Sequence, residues 1–167
     1  MESGTSAQQK AHNRIGRIMS QPMTLRLASR DDIDTIAAIF SPSVRLLNFL
    51  PSLHSWSEDR WFIDNILFAE CVITLAEMEG RAISFLARAG REIRLLHTHP
   101  DFIGLGTGAV LIEHAKSSEE ESLFLWCFQA NHLARKFYER HGFRAVEFTD
   151  GQRNEEKTPD VRYVWEL

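Results

Sequence analysis

Residues 101–111 read DFIGLGTGAVL, three glycines at alternate positions followed by an unbroken apolar run. Glycines so closely spaced ahead of a helix mark a backbone that must come near something. Phosphate is the first candidate, because the N–H groups of a helix's first turn have no internal partners and carry the positive end of its dipole. A Walker P-loop needs Lys and then Ser or Thr after its last glycine, but Gly108 is followed by Ala109 and Val110. A dinucleotide fingerprint is nearer, since Gly104, Gly106 and Ala109 satisfy its spacing. That motif, however, follows its strand at once, normally opens its domain and wants an acidic residue about 20 positions on. Here His97 to Ile103 intervene, and the next strand-like run ends in Gln129.

The segments around the glycines supply a fold. REIRLLHTHP (91–100) reads as a strand stopped by Pro100, and CVITLAEMEG and RAISFLARAG as two strands joined by a hairpin turn. Upstream, TLRLA (24–28) alternates like a strand. Ser29 then caps a helix with Asp31, Asp32 and Asp34 in its first turn and Ile33, Ile36, Ala37 and Phe40 on its apolar face. Pro42 interrupts, LPSLH is a loop, and a second helix restarts with Ser57 as its cap. Downstream, GTGAVLIEHAK is a helix, the run Glu119, Glu120 and Glu121 belongs to a polar connection, and LFLWCFQ is apolar enough for a buried central strand. Asn131 caps HLARKFYERH, Gly142 ends it, and FRAVEFT and VRYVWEL add two strands around the polar loop DGQRNEEKTPD. The order is β α α β β β α β α β β without an internal repeat, a mixed α/β sheet with helices on both faces.

The chain has 167 residues, 44% of them hydrophobic and 25% charged, with a net charge of -4, the profile of a single globular domain without a polyanion-binding signature. Nucleic acid and membrane are not expected partners. No stretch approaches the roughly 20 apolar residues a spanning helix needs, and MESGTSAQQKAHNRIGRIM lacks a secretory core, so a cytoplasmic protein is expected. Residues 1–22 lack periodicity and read as a flexible extension ahead of one domain over 23–167. The two cysteines, Cys71 and Cys127, each sit in a strand-like stretch and are expected to be buried and reduced.

Two segments carry a resemblance. Thr98-His99-Pro100-Asp101-Phe102-Ile103-Gly104-Leu105-Gly106-Thr107-Gly108 resembles the V-x-P-x-x-[Q/R]-G-x-G-x-G segment of the GNAT superfamily of acyl-CoA-dependent N-acyltransferases. QANHLARKFYERHGF (129–143) is similar to that family's N-x-x-A-x-x-[F/L]-Y-x-x-x-G-F, matching at Asn131, Ala134, Phe137, Tyr138, Gly142 and Phe143. The order of elements over 23–167 is also that of the GNAT fold. The resemblance departs at Ile103 and Leu105, where the family usually has Gln or Arg and often a basic residue, so backbone amides are left to grip the phosphates.

The resemblance implies a central, mixed, mostly antiparallel twisted sheet of six to seven strands whose fourth and fifth strands are parallel and splay apart. It implies acetyl-CoA as co-substrate, with its diphosphate on Ile103, Gly104, Leu105, Gly106, Thr107 and Gly108. The pantetheine arm would pair near His97, Thr98 and His99 and lie against Asn131, Ala134, Phe137 and Tyr138. Tyr138 would protonate the departing thiolate. Glu77, His97 and His99 are candidate bases for the amine, the two histidines being two apart on one strand. His99 and His97 could also hold zinc, but no third ligand has recognisable spacing, and no metal is expected.

LPSLHSW and TDGQRNEEKTPDVRYVW resemble stretches of a bacterial GNAT subgroup of unassigned substrate. They make His54, Trp56, Glu155 and Glu156 candidate acceptor-site residues. The expected reaction is acetyl transfer to a primary amine of a small molecule or peptide by direct attack. The rival is a non-catalytic acyl-CoA sensor that keeps the fold. C-terminal strands often build dimers in this superfamily, so a homodimer is an expectation.

Overall fold

Neighbouring residues of the central strands face opposite ways and bury against different helices, and this alternation produces three layers. The computed structural model describes residues 22–51, 53–118 and 121–167. The expected extension over 1–22 lies, Pro22 excepted, outside the described residues, as do Glu119 and Glu120.

β1 (Met23–Leu27) leads through a 3-10 turn into α1 (Ile33–Val44). α2 starts as Trp56–Phe62 and continues through a π-turn, Ile63–Leu67, to Phe68–Glu70. β2 (Val72–Met78), β3 (Arg81–Ala89) and β4 (Glu92–Thr98) follow as a meander, then α3 (Thr107–Ser117), β5 (Leu123–Phe128), α4 (His132–Arg140), β6 (Arg144–Phe148) and β7 (Asp160–Trp165). The element order is the one the sequence predicts. Two local readings change. Pro42 does not end α1, which runs on to Val44 because a missing proline N–H removes only one bond while the Ser43 hydroxyl and Arg45 guanidinium take up the Phe40 and Ser41 carbonyls. The cap of α2 is Ser55 rather than Ser57: its Oγ accepts the Glu58 N–H at 3.3 Å while Glu58 Oε2 accepts the Ser55 N–H at 2.7 Å, a reciprocal box that the S-x-x-E spacing announces.

The seven strands lie in the order β1-β2-β3-β4-β5-β7-β6. All pairs are antiparallel except β4 with β5. On one face Leu75, Phe85 and Ala87 pack with Ile36, Ile39, Ile63 and Leu67 of α1 and α2. On the other, Ala76, Leu86 and Ile93 pack with Leu111 and Ile112 of α3 and Tyr138 of α4.

The parallel pair positions the site. β4 and β5 are in register only at Glu92↔Phe124 and Ile93↔Leu125. Beyond that point β4 stays with β3 as far as Thr98 and β5 stays with β7 as far as Phe128, so a gap opens between them. A register shift at Ala87/Arg88 supplies the bend, since a bulge adds twist to the strand pair that carries it. Among the described residues no helix is long and apolar enough to cross a membrane.

Candidate active site

At the wide end of the gap stands the glycine turn. Gly104 and Gly106 have φ of 86° and 83°, a left-handed conformation that side chains resist, and a Cβ on either would meet nothing within 4 Å. Gly108 is required for another reason, since its Cβ would lie 3.3 Å from the Phe137 ring, so it lets α4 seat against α3. Val110 is the first residue bonded back, to the Gly106 carbonyl at 3.1 Å, which leaves the N–H groups of Thr107, Gly108 and Ala109 at the open end of α3. A hydroxyl chain fixes this end to the strand: Ser84 Oγ lies 2.9 Å from Thr98 Oγ1, which lies 3.2 Å from the buried Thr107 Oγ1. The side chains of Thr98 and Thr107 therefore face the protein, and their backbones face outward. Ile103 is 59% exposed at the rim.

The His99 N–H donates to the Ile83 carbonyl at 2.9 Å, so odd-numbered residues of β4 direct their polar groups at β3, and by alternation Leu96 and Thr98 direct theirs into the gap. His97 projects its ring to the α1 face, between Phe40 and Phe85 at centroid distances of 5.0 and 5.8 Å. Burial pushes its imidazole down to about 4, so the ring is neutral at pH 7. Its Nδ1 lies 2.7 Å from Ser43 Oγ, and Ser43 Oγ also donates to the Phe40 carbonyl at 2.9 Å. A hydroxyl has one proton, so both bonds form together only if Nδ1 carries a hydrogen and donates it. Nε2 then holds the free lone pair. His99, expected on the same strand face, leaves the strand after Thr98, and its Nδ1 accepts the Asp101 N–H at 3.2 Å. Pro100 has no N–H to continue the strand, and His99 caps the turn that replaces it.

Tyr138 comes from the opposite face of the sheet, buried among Cys127, Phe143 and Tyr163. Burial, helped by the neighbouring Cys127, pushes its phenol well above the usual range, so it is a held proton. The contrast with Tyr163 is informative. Tyr163 donates to Glu139 Oε1 at 2.6 Å and accepts from Arg135 Nε at 3.1 Å, whereas the Tyr138 hydroxyl has no hydrogen-bond partner among the described residues. No sealed polar side-chain atom among them lacks a partner, so that oxygen keeps an opening. Cys127, beside it, is no nucleophile: burial pushes its thiol up to about 12. Asn131 Oδ1 caps α4 by accepting the Ala134 N–H at 3.2 Å, and Ala134 and Phe137 pack on the core. Leu133 is 83% exposed, because the apolar face of this nine-residue helix is centred on Ala134, Phe137 and Tyr138.

Two cavities meet at His97. One, of about 390 Å³, runs past Leu96, Thr98, Ile103, Asn131 and Leu133 on the glycine-turn side. The other, of about 270 Å³, is roofed by Leu47, Leu50 and Leu53 from the segment after α1 and includes His54, Glu155 and Glu156. Two candidate segments far apart in sequence thus meet across one cavity, with His54 Nε2 3.5 Å from Glu155 Oε1. The remaining acceptor candidate, Trp56, and the candidate base Glu77 are not brought there. Trp56 opens α2 at the surface, and Glu77, two strands from the gap, accepts from Arg26 Nε at 2.7 Å in an ion pair that ties β2 to β1.

A family model, "Acetyltransferase (GNAT) domain", matches residues 68–145, the stretch that contains β4, the glycine turn and α4. Over that stretch the chain matches the GNAT superfamily. The fold is shared with a GCN5-related N-acetyltransferase from Rhodopseudomonas palustris, 24% identical over 90% of this chain and 98% of that one, with a TM-score of 0.71. It is shared with apo YjaB from Escherichia coli, 23% identical over 86% and 97% of the two chains, TM-score 0.69. It is also shared with the PaiA N-acetyltransferase from Thermoplasma acidophilum, in complex with coenzyme A, 18% identical over 87% and 99%, TM-score 0.66. No curated protein matches the chain.

The matched family is one of acyl transfer, and the chain's own geometry fits an acyl-CoA thioester: open glycines, free N–H groups and an unpaired edge of β4. Sequence reasoning missed Ser43, which lies 54 positions from the His97 it orients, and the Ser41–Asp59–Arg45 cluster beneath the acceptor loop. For Ser43 no local signal exists. For Asp59, an acid inside an otherwise amphipathic helix start was the one hint.

Proposed function

We propose that this protein is a GNAT N-acetyltransferase that moves the acetyl group of acetyl-CoA to a primary amine by direct attack. The observation that carries the reading is the position of His97, neutral, tautomer-fixed and shared by the two cavities at the mouth of the β4/β5 gap. Acetyl-CoA supplies the activated acyl group and a thiolate leaving group. The N–H groups from Gly104 to Ala109 take the diphosphate, and the gap-facing amides of Leu96 and Thr98 pair with the arm and polarise the acyl oxygen. His97 Nε2 accepts a hydrogen from the amine and takes its proton as the new C–N bond makes that nitrogen acidic. Tyr138 gives its proton to sulfur as the C–S bond breaks. An amide and a free thiol leave, and the two side chains re-equilibrate with solvent. Both cysteines being buried or protonated supports direct attack over an acyl-cysteine route.

The test is free-thiol release from acetyl-CoA across a broad amine panel, with calorimetry of acetyl-CoA binding alongside. Tyr138→Phe is expected to bind acetyl-CoA as the parent does and to lose most turnover, whereas Gly106→Asp loses binding. Binding without turnover of any amine would favour the sensor reading, and absence of binding would remove both.

A further inference from the structure

The acceptor cavity has two chemically different ends. At the enclosed end, beside His97, no carboxylate is free: Asp59 is 5% exposed and already holds the Ser41 hydroxyl and, at 3.6 Å, Arg45. Arg45 in turn is spent on the Ser41 and His54 carbonyls at 2.6 and 3.0 Å. At the exposed end, Glu155 has only His54, and the Glu156 carboxylate has no ion-pair partner among the described residues. Between the ends the walls are apolar, with Leu47, Leu50, Leu53 and Phe128.

A carboxylate beside an ammonium keeps it protonated, and a protonated amine cannot attack. The carboxylates at the mouth are therefore wrongly placed to serve the reacting nitrogen and well placed to hold a second one that stays charged. The mouth is also built. The β6–β7 loop that carries both glutamates is braced by Gln129 Nε2 on the Thr149 and Asp160 carbonyls at 2.8 and 2.9 Å. Within it, Asn154 Nδ2 donates to the Thr158 carbonyl at 2.7 Å and to Asp160 Oδ2 at 3.0 Å. A merely solvated turn has no need of these bonds.

From these two ends we infer that the acceptor is a diamine-type molecule with an apolar spacer: one amino group standing neutral at His97, the other held as an ammonium at Glu155 and Glu156. The inference rests on the proposed N-acetyl transfer. The cavity of about 270 Å³ takes roughly nine water-sized groups at about 30 Å³ each, which sets the spacer at a short alkyl chain.

The experiment compares three acceptors of one length: 1,6-diaminohexane, hexylamine and 6-aminohexanoate. The diamine is expected to lead hexylamine in kcat/KM by roughly ten- to hundredfold, the range of one charge-assisted contact, and the amino acid to trail both. Glu155→Gln with Glu156→Gln brings the diamine-to-hexylamine ratio to about one, and Glu155→Lys with Glu156→Lys moves the preference to 6-aminohexanoate. Calorimetry of 1,6-diaminohexane on the CoA-saturated protein gives a readout free of turnover. Diamine binding that weakens in the double Gln variant supports the acceptor class even if acetyl transfer fails. Equal ratios in parent and variant, or no diamine binding, overturn it while leaving N-acetyl transfer to be judged by the amine panel.

Discussion

Ser43 has a single hydroxyl proton, and with that proton given to the Phe40 carbonyl its oxygen can only accept from His97 Nδ1. Removing the hydroxyl frees the imidazole to choose its tautomer and rotation. Ser43→Ala is therefore expected to lower kcat about three- to tenfold, the worth of one net hydrogen bond, with acetyl-CoA affinity kept and Ser43→Thr restoring most of the loss. Unchanged kcat in Ser43→Ala would show that the tautomer does not matter. His97 with a pKa of about 4 is already unprotonated across the working range, so the acidic limb of kcat/KM should follow the acceptor's own ammonium. Two amines of different basicity give limbs displaced by their pKa difference; a shared limb near 6.5, the ordinary histidine value, contradicts the burial argument. Residues of this kind divide sharply in legibility. Gly104 and Gly106 are visible because only a left-handed backbone needs glycine at such spacing, and Tyr138 because it shares a helix with its motif partners. Ser43 is invisible because its role exists only once α1 is packed on β4.

At the level of elements, periodicity and capping chemistry carry most of the fold. The order of helices and strands, the hairpin with Glu79 and Gly80 both at positive φ, and the Asn131 cap are all local properties of a few residues. What is not local is the opening of the parallel pair, set by a bulge at Arg94 of β4 and by β7 holding β5 away. The β6–β7 loop is equally non-local: its composition reads as a polar connection, yet Gln129 anchors it from 20 and 31 positions away. Gly151 is the keystone of that loop, at φ 79° with a would-be Cβ 2.2 Å from the Thr158 carbonyl carbon and oxygen. Gly151→Ala must displace Thr158, so it is expected to cost about 2 kcal/mol or more, to lower Tm by about 5 °C or more and to erase the preference for a diamine acceptor. Gly80→Ala is the control: φ is 72° but nothing lies within 4 Å, so only the backbone conformation is penalised, by about 1 kcal/mol. Thermal unfolding of the two variants side by side decides the matter. Equal melting would mean that the loop yields without strain.

For the molecule as a whole, the groups that shape the site also set its response to acid. His97 is held at about 4 in the folded chain against 6.5 unfolded, because burial disfavours the imidazolium. Between those two values the unfolded state binds a proton that the folded state refuses, so stability falls as pH drops from about 6.5 toward 4 and levels off below, by at most about 3 kcal/mol. Asp32 works over the next window. Its hydrogen bond with Arg26 lowers its carboxyl from 3.8 to about 2, so its contribution is present above 3.8 and is lost as pH falls toward 2. Arg26 also reaches Glu77, so one guanidinium joins β1, β2 and the start of α1, and protonating Asp32 loosens the edge of the sheet while leaving the gap intact. Urea midpoints measured from pH 7.5 to 4.5 should therefore fall in the parent chain and stay nearly flat in His97→Gln, which keeps a neutral polar side chain near Ser43 without the titration. The difference between the two curves isolates His97 from every other titrating group, because those groups are common to both proteins. Parallel curves would mean that the imidazole gains a proton as easily in the fold as out of it, and a charged ring at that position could not take a proton from the amine.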